Sequence, residues 1–573
     1  MTAELPPGWI LIAGALVLPF LRGRLQAAWT VVLPVLGFAH LLTLSEGEWG
    51  HVGIFTYELT LVRVDALSLA FGYVFHIAAF LAALYAVQVR DTAQHVSGMV
   101  YAGSAIGAAF AGDLITLFVY WELTALSSVF LIWARKTERA YRAGMRYLII
   151  QVGSGVLLLA GIVLHSQATG SIAFGRLITD DGTLASSGPG VVLVFLAFGI
   201  KCAFPLLHNW LQDSYPEATV TGTVFLSAFT TKLAVYALAR AFPGLDVLIW
   251  IGAVMTLFPI FFAVIENDLR RVLAYSLNNQ LGFMVVGVGI GTAMSLNGTV
   301  AHAFCHIIYK ALLFMSMGAV LHRTGKIKAS ELGGLFRSMP LTAVFCMIGA
   351  ASISAFPLFS GFVSKSLISS AAAKEHLVVV WVLLLVASAG VMEHSGIKIP
   401  YFSFFGHDSG IRCKEAPWNM LAAMGIAAAL CVGLGCFPGP LYELLPYSME
   451  EAYHPYTADH LITQFQLLLG AALAFGVLIR WKLYPLEVPS INLDADWLYR
   501  RLVPRAGGAG VRIVWRAWEG LLGGAREGIE HAVAGVRRLH GQGAFFARTW
   551  TTGQIAFFAT LMLGAYLILY LFW

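Results

Sequence analysis

The amino-acid sequence predicts an all-α polytopic membrane protein, and three observations carry that expectation. The 573 residues are 58% hydrophobic and 12% charged, with a mean hydropathy of +0.77, a balance foreign to soluble domains. Apolar stretches long enough to span ~30 Å of hydrocarbon recur along the chain. Sixteen are counted, centred near residues 15, 36, 76, 103, 123, 156, 200, 229, 256, 282, 310, 355, 386, 428, 471 and 562. If the connecting loops alternate sides, 27 of the 36 Lys and Arg fall on one side. Only Arg63, Arg176, Arg240 and Lys374 fall on the other, and five lysines lie inside predicted helices. Because basic loops stay cytoplasmic, this partition supports the count and sets the orientation. A multi-pass membrane protein is expected, with its basic loops facing the cytoplasm.

Composition also excludes chemistry. The six cysteines form no CxxC pair, so neither a disulfide framework nor an iron–sulfur site is expected. No Gly-rich phosphate loop follows a predicted strand. No cofactor, metal or nucleic-acid partner is anticipated, and no redox centre on this chain.

The first segment, GWILIAGALVLPFL, lacks a basic leader and a convincing cleavage site and reads as a retained helix. Asp65 stands at the start of the third segment, where a carboxylate favoured by the helix dipole and a transport role are the two readings. The fifth segment, DLITLFVYWELTALSSVFLIW, carries Glu122 near its middle among Tyr120, Trp121, Thr124 and Ser127. Beside a lysine, such a carboxylate makes a proton switch; the alternative is a structural ion pair.

Residues 197–232 are the centre of the chain. The seventh segment holds Lys201 with Pro205 four residues on, and the eighth holds Lys232. A charge at the bilayer centre costs roughly 3 kcal/mol or more, so these lysines face partners or water, and Pro205 breaks the helix beside the first. His208, seven residues past Lys201, falls on nearly the same helical face as a relay or an interfacial histidine.

Asp268, Arg270 and Arg271 read most simply as an interfacial turn. In AHAFCHIIYKALLF, His302, His306 and Lys310 recur every four residues, a polar stripe over roughly 12 Å of one helix. That pattern fits a hydrated wire. Metal binding is disfavoured, because sequence places no third ligand and Lys310 repels a cation. The twelfth segment repeats the Pro/Gly-interrupted pattern with Pro357, Gly361 and Lys365, and paired broken helices point to a transporter with midplane sites. Glu393, His394 and Lys398 follow in the thirteenth, where interfacial snorkelling is an alternative for Lys398. Beyond Trp481, Val511, Val514, Trp515, Trp518, Leu521 and Leu522 alternate with arginines at helical spacing, an amphipathic helix lying on the inner membrane surface. IAFFATLMLGAYLILYLFW forms the last helix.

The combination of WEL, GIKCAFPLLHNWL, DLRRVLAYS, HAFCHIIYKALLF and FPLFSGFVSK over roughly residues 60–405 resembles the antiporter-like subunits shared by respiratory complex I, membrane-bound hydrogenases and Mrp-type multisubunit cation/proton antiporters. The tail, INLDADWLYRR with a surface helix and a last membrane helix, looks most like the D group of the Mrp antiporter subunits. The resemblance implies a core of fourteen helices made of two inverted five-helix repeats, with helices 7 and 12 broken. The expected divisions are helices 1–3 (1–92), the first repeat (93–240), the second repeat (241–406), helices 14–15 (407–486), the amphipathic segment (487–550) and the last helix (551–573). It implies a proton path through Glu122, Lys201, Lys232, His302, His306, Lys310 and Lys365. The implied function is proton translocation within a sodium/proton antiporter, with H⁺ and Na⁺ as ions and other membrane subunits and the lipid bilayer as partners. The alternative is a proton-pumping subunit of an NADH-quinone oxidoreductase or hydrogenase complex. QDSYPEATVTG departs from the His- and Pro-rich turn common in relatives, and Glu266 stands where many carry glutamine.

Overall fold

The computed structural model describes residues 5–572 apart from 180–181, 450, 486–487, 489–491, 493 and 545–546. The division expected at 486–487 lies outside the described residues. The chain separates into two compact units, Met1–Asn492 and Leu493–Trp573.

In the first unit, α1 (Trp9–Ala15) and α2 (Arg24–Leu41) precede an antiparallel hairpin of β1 (Gly47–Ile54) and β2 (Tyr57–Val64). Four helices follow: α3 (Ala66–Tyr85), α4 (Thr92–Ala109), α5 (Leu114–Trp133) and α6 (Glu138–Thr169). Next come α7 (Pro189–Cys202), the short α8 (Asn209–Ser214), and α9 (Gly222–Ala228) with α10 (Thr230–Ala241), which together make one span. The second half holds α11 (Asp246–Ile265), α12 (Leu269–Ile290), α13 (Ala293–Thr324), α14 (Pro340–Ile353), α15 (Ser360–Lys374) and α16 (Val378–Val391). A π-type turn over Met392–Ile397 leads into α17 (Lys398–Pro400), and α18 (Trp418–Cys436), α19 (Gly439–Glu443) and α20 (Ala458–Arg480) complete the unit. Among the described residues, ten helices are long and apolar enough to cross a membrane, and three stretches of shorter apolar helix accompany them. The protein is therefore an all-α polytopic membrane protein, to which the hairpin adds one element that the sequence reading did not include.

Short polar residues start these helices because an extended residue with a side-chain oxygen satisfies a free N–H of the first turn. Asp65 and Ser68 form a reciprocal capping box at α3. Asp113 accepts from Thr116 N (2.8 Å) at α5 and also from Thr60 N (2.9 Å) of β2. Asp268 caps α12 through the N–H groups of Arg270 and Arg271. The Asp65 reading is thus a cap, with one addition: Arg240 of α10 grips its carboxylate bidentately at 2.8 Å on each oxygen. Burial works to raise the Asp65 pKa, but the hydrogen bond and charge of Arg240, helped by Ser68 and Arg63, outweigh it and lower the group.

The Asp268–Arg271 turn is not an exposed interfacial feature. Arg270 is 1% exposed, and its guanidinium donates to the carbonyls of Pro216, Ala218 and Thr219 at 3.0–3.2 Å and to the Thr223 hydroxyl. One buried fork thereby fixes the loop that joins α8 to α9. Glu217 in the same loop pairs with Arg139 (2.6 Å) and Arg135 (3.3 Å).

In the second unit, α21 (Val503–His540) is a 38-residue helix with no buried residue, and α22 (Thr552–Leu571) is apolar along its length. At 1.5 Å per residue α21 is about 57 Å long. Val511, Val514, Trp515, Trp518, Leu521 and Leu522 are all more than half exposed along it, as an amphipathic surface helix requires.

Candidate functional site

Helix α13 runs through the middle of the first unit, with every residue from Ser295 to Val320 buried. The unit buries four lysines, Lys310 on α13 itself and Lys201, Lys232 and Lys365 on α7, α10 and α15, each no more than 4% exposed.

Lys201 is the penultimate residue of α7, which ends because Pro205 has no N–H and a left-handed turn begins at Ala203 (φ 63°) and continues at Leu206 (φ 69°). Its Nζ donates to Trp121 O (2.8 Å) and Thr124 Oγ1 (2.9 Å) of α5 and lies 4.0 Å from the centre of the Trp121 ring. Glu122 is the next residue on α5, and its Oε1 is buried without a hydrogen-bond partner. The two expected partners thus share one turn of α5, but no direct salt bridge joins them among the described residues. Gly155 of α6 makes room for the carboxylate: a Cβ there would stand 1.5 Å from Glu122 Oε1.

The same interruption removes His208 from the face of Lys201. Because α7 stops at Cys202, helical spacing no longer relates the two, and His208 sits outside the helix against Phe258 at 4.5 Å between ring centres. The relay expected from spacing is overturned by that break.

Lys232 lies just past a second interruption. Phe229 separates α9 from α10, and Lys232 Nζ donates back across it to Ser227 O at 2.5 Å. Tyr101 takes the Thr230 N–H at 3.0 Å. On α13, His302 Nδ1 meets Ser364 Oγ of α15 at 3.0 Å, and Tyr309 links to Gln280 of α12 at 3.0 Å. Both ring nitrogens of His306 and the Nζ of Lys310 are buried without a hydrogen-bond partner. Lys365 follows Ser364 directly, and its Nζ donates to Ile353 O (2.7 Å) at the end of α14.

The twelfth segment is broken as expected, between α14 and α15, and its break copies the first. Ala355 (φ 57°) and Leu358 (φ 73°) are left-handed, and each stands 152 residues after Ala203 and Leu206 respectively. The hydrogen bonds repeat as well. Ala203 N→Ile200 O (3.1 Å), Phe204 N→Gly199 O (3.0 Å) and Leu207 N→Phe204 O (2.9 Å) recur as Ala355 N→Ser352 O (3.0 Å), Phe356 N→Ala351 O (2.9 Å) and Phe359 N→Phe356 O (3.1 Å).

Lys398 does not snorkel. It is fully buried, and its Nζ caps the end of α11 through the carbonyls of Ala263 (3.3 Å), Val264 (2.6 Å) and Glu266 (2.8 Å). Sequence reasoning also passed over Gln280 and Ser364, which hydrogen-bond to Tyr309 and His302 of α13; each is a polar residue within a run assigned to the membrane, and that was the available signal.

Residues 111–390 match the family described as NADH:quinone oxidoreductase/Mrp antiporter, TM. The A subunit of the Na⁺/H⁺ antiporter of Alkalihalophilus pseudofirmus is 28% identical over 504 residues, covering 78% of this chain and 62% of that protein. The N subunit of the NADH-quinone oxidoreductase of Desulforudis audaxviator is 32% identical over 402 residues, covering 64% of this chain and 79% of that protein. The fold resembles a chain of the Mrp complex of Dietzia sp. DQ12-45-1b with a TM-score of 0.76 at 23% identity, covering 92% of this chain and 62% of that one. The chain thus spans about three fifths of the length of the Alkalihalophilus relative.

Proposed function

Because the chain belongs to the NADH:quinone oxidoreductase/Mrp antiporter transmembrane family, we propose that it is the proton-translocating membrane subunit of a multisubunit sodium/proton antiporter. It would work beside other membrane subunits in a bacterial inner membrane, with its basic loops and α21 on the cytoplasmic side. The sixteen crossings and the two inverted repeats, 93–240 and 241–406, belong to the same proposal.

One observation carries it. The four central ammonium groups are held by neutral atoms alone: a carbonyl and a hydroxyl for Lys201, one carbonyl each for Lys232 and Lys365, and no hydrogen-bond partner for Lys310. Among the described residues, none of them is hydrogen-bonded to a carboxylate or ion-paired within 4 Å. A purely structural lysine, such as Lys398 with three carbonyls, is held far more firmly. In this reading Glu122 and Lys201 share α5 as a switch: protonating Glu122 removes the charge that favours the Lys201 ammonium. The proton passes by Lys232 to His302, His306 and Lys310, and Lys365 releases it on the other side.

The similarity to an NADH-quinone oxidoreductase component supports the second reading, a proton-pumping subunit of a redox complex. Ion flux in proteoliposomes holding the intact complex decides between them. The antiporter reading predicts sodium- or pH-gradient-driven exchange that Lys201→Ala abolishes. No exchange in the wild type, with pumping once an electron donor is supplied, moves the protein to the redox class. Undiminished exchange or pumping in an assembled Lys201→Ala variant overturns the lysine path.

A further inference from the structure

Helix α15 continues a polar face beyond Lys365. Ser366, Ser369 and Ser370 lie one, four and five residues on, so all four share one side of the helix, and none of the three serines is fully buried. Across from them α20 presents His460 and Gln464, one helical turn apart. These six residues line a cavity of about 220 Å³. Hydroxyl, imidazole and amide groups have no purpose against lipid, and a space of this size that they help to line has room for water.

The cavity ends at a defined cluster. Ser370 Oγ lies 3.2 Å from Tyr453 Oη and 3.5 Å from His460 Nε2. His460 Nδ1 is 3.2 Å from Pro455 O; since a carbonyl only accepts, Nδ1 carries the hydrogen and Nε2 turns its lone pair toward Ser370. Tyr453 also lines a second cavity of about 580 Å³, together with Lys374 and Glu451. Those two residues form a 3.9 Å ion pair whose side chains are 64% and 85% exposed. Lys365, Ser370 and His460 thus line one cavity, and Tyr453, within hydrogen-bond distance of Ser370, lines the next. The other charged groups lining the two cavities are Asp459, beside His460 on α20, in the first and Glu375 in the second.

We infer that the cleft between α15 and α20 is a water-filled port through which Lys365 exchanges its proton with the arginine-poor face, and that His460 is the relay at its mouth. Lys365 gives the proton to cavity water, Ser370 and Tyr453 pass it by exchanging donor and acceptor roles, and His460 takes it at Nε2 and returns it to solvent. The placement of Gln464 adds a link: its Nε2 donates to Ser354 O (3.2 Å), so α20 holds the broken end of α14 and the port at once. This rests on the reading that Lys365 releases protons.

The test uses the full chain in its native complex, in sealed vesicles of known orientation, with Ser369→Cys. A small charged methanethiosulfonate reagent should label that cysteine from the arginine-poor face only, and labelling should cut proton flux at least tenfold. No labelling, labelling from the opposite face, or labelling without loss of flux overturns the port. His460→Ala should slow flux about tenfold, with assembly and labelling unchanged, and added imidazole should restore it; absence of rescue overturns the relay. Failure of the broader reading looks different: Lys201→Ala would then keep its flux while the port still labels and blocks.

Discussion

The two broken helices have the same backbone and opposite uses for their lysines. In the first break the freed carbonyls are taken by neutral side chains: Trp210 Nε1 donates to Ile200 O (2.9 Å) and Asn278 Nδ2 to Ala203 O (2.8 Å). Lys201 is left over to reach α5. In the second, Lys365 is itself the donor to a freed carbonyl, Ile353 O, and Gln464 serves Ser354 O. Unwound carbonyls inside a membrane protein must find donors. A lysine that fills that need holds the carbonyl more weakly once it loses its proton, because a neutral amine is a poorer donor than an ammonium. On the proposed path, proton movement at the second break would be coupled to helix-end geometry, and at the first to the α5 carboxylate.

Close backbone approach sharpens the contrast most. Gly361 stands where the first break has Asn209, 152 residues earlier. A Cβ on Gly361 would lie 1.8 Å from Ser352 O, a backbone atom that cannot yield as a side chain does. Gly361→Ala should cost about 3 kcal/mol or prevent assembly, whereas Asn209→Ala leaves its Cβ in place. Thermal unfolding of the detergent-solubilised complex compares them; equal losses would mean that the second break is no tighter than the first.

Asp65 gives the comparison a conventionally paired charge as yardstick. Asp65→Asn strips Arg240, itself 5% exposed at the side chain, of its only anionic partner within 4 Å among the described residues, and should cost about 2–3 kcal/mol. The folded-state pKa of Asp65 is lowered, so its contribution is fully present above the unfolded value near pH 4. It is lost as pH falls through the folded value. Unfolding of the wild type should weaken in that acid window, and Asp65→Asn should flatten the dependence. A variant as acid-sensitive as the wild type would remove Asp65 as its source.

Lys365→Met and Lys201→Met test the distinction itself. Both should abolish flux. The first also leaves Ile353 O without its donor, a loss of about 1–3 kcal/mol. The second removes hydrogen bonds from an α5 carbonyl and a hydroxyl that keep local partners, since Thr124 Oγ1 also donates to Trp121 O (2.7 Å). The stability difference between the two variants is the measurement. If Lys201→Met is the less stable, the assignment of roles to the two lysines is reversed.

What the sequence disclosed and what it hid divide along physical lines. Charged residues in apolar runs are legible because they are costly, so Glu122, the four lysines and the α13 stripe could be named in advance. Both breaks were legible through proline. The Phe229 interruption was not, because no proline or glycine marks it; a phenylalanine at φ −101°, ψ −64° simply leaves the helix. His208 was misplaced because helical periodicity was extended across a break. The role of Lys398 stayed open because an interfacial lysine and a carbonyl-capping lysine look identical until the neighbouring helix end is known. The hairpin was passed over as loop: Gly47, Gly50 and Gly53 mask the β1 pattern, and only Leu59, Val62 and Val64 of β2 are buried.

Trp210 sets the smallest expected effect. Its ring is 2% exposed and packs edge-on to Tyr147 and Tyr215, at 5.6 and 5.9 Å between centres. Trp210→Phe keeps most of that packing and removes one of two donors to Ile200 O, which keeps the N–H of Ala203 at 3.1 Å, so the expected loss is about 1 kcal/mol. Flux should persist, because Lys201 is held by α5 and not by the break. Gln464→Leu removes the corresponding donor at Ser354 O and costs a similar amount, yet it should slow flux, since that carbonyl neighbours the one Lys365 must leave and regain. Two variants of matched stability, one silent and one slow, are what coupling at the second break alone requires; equal flux in both would mean that the two breaks serve only as hinges for the chain.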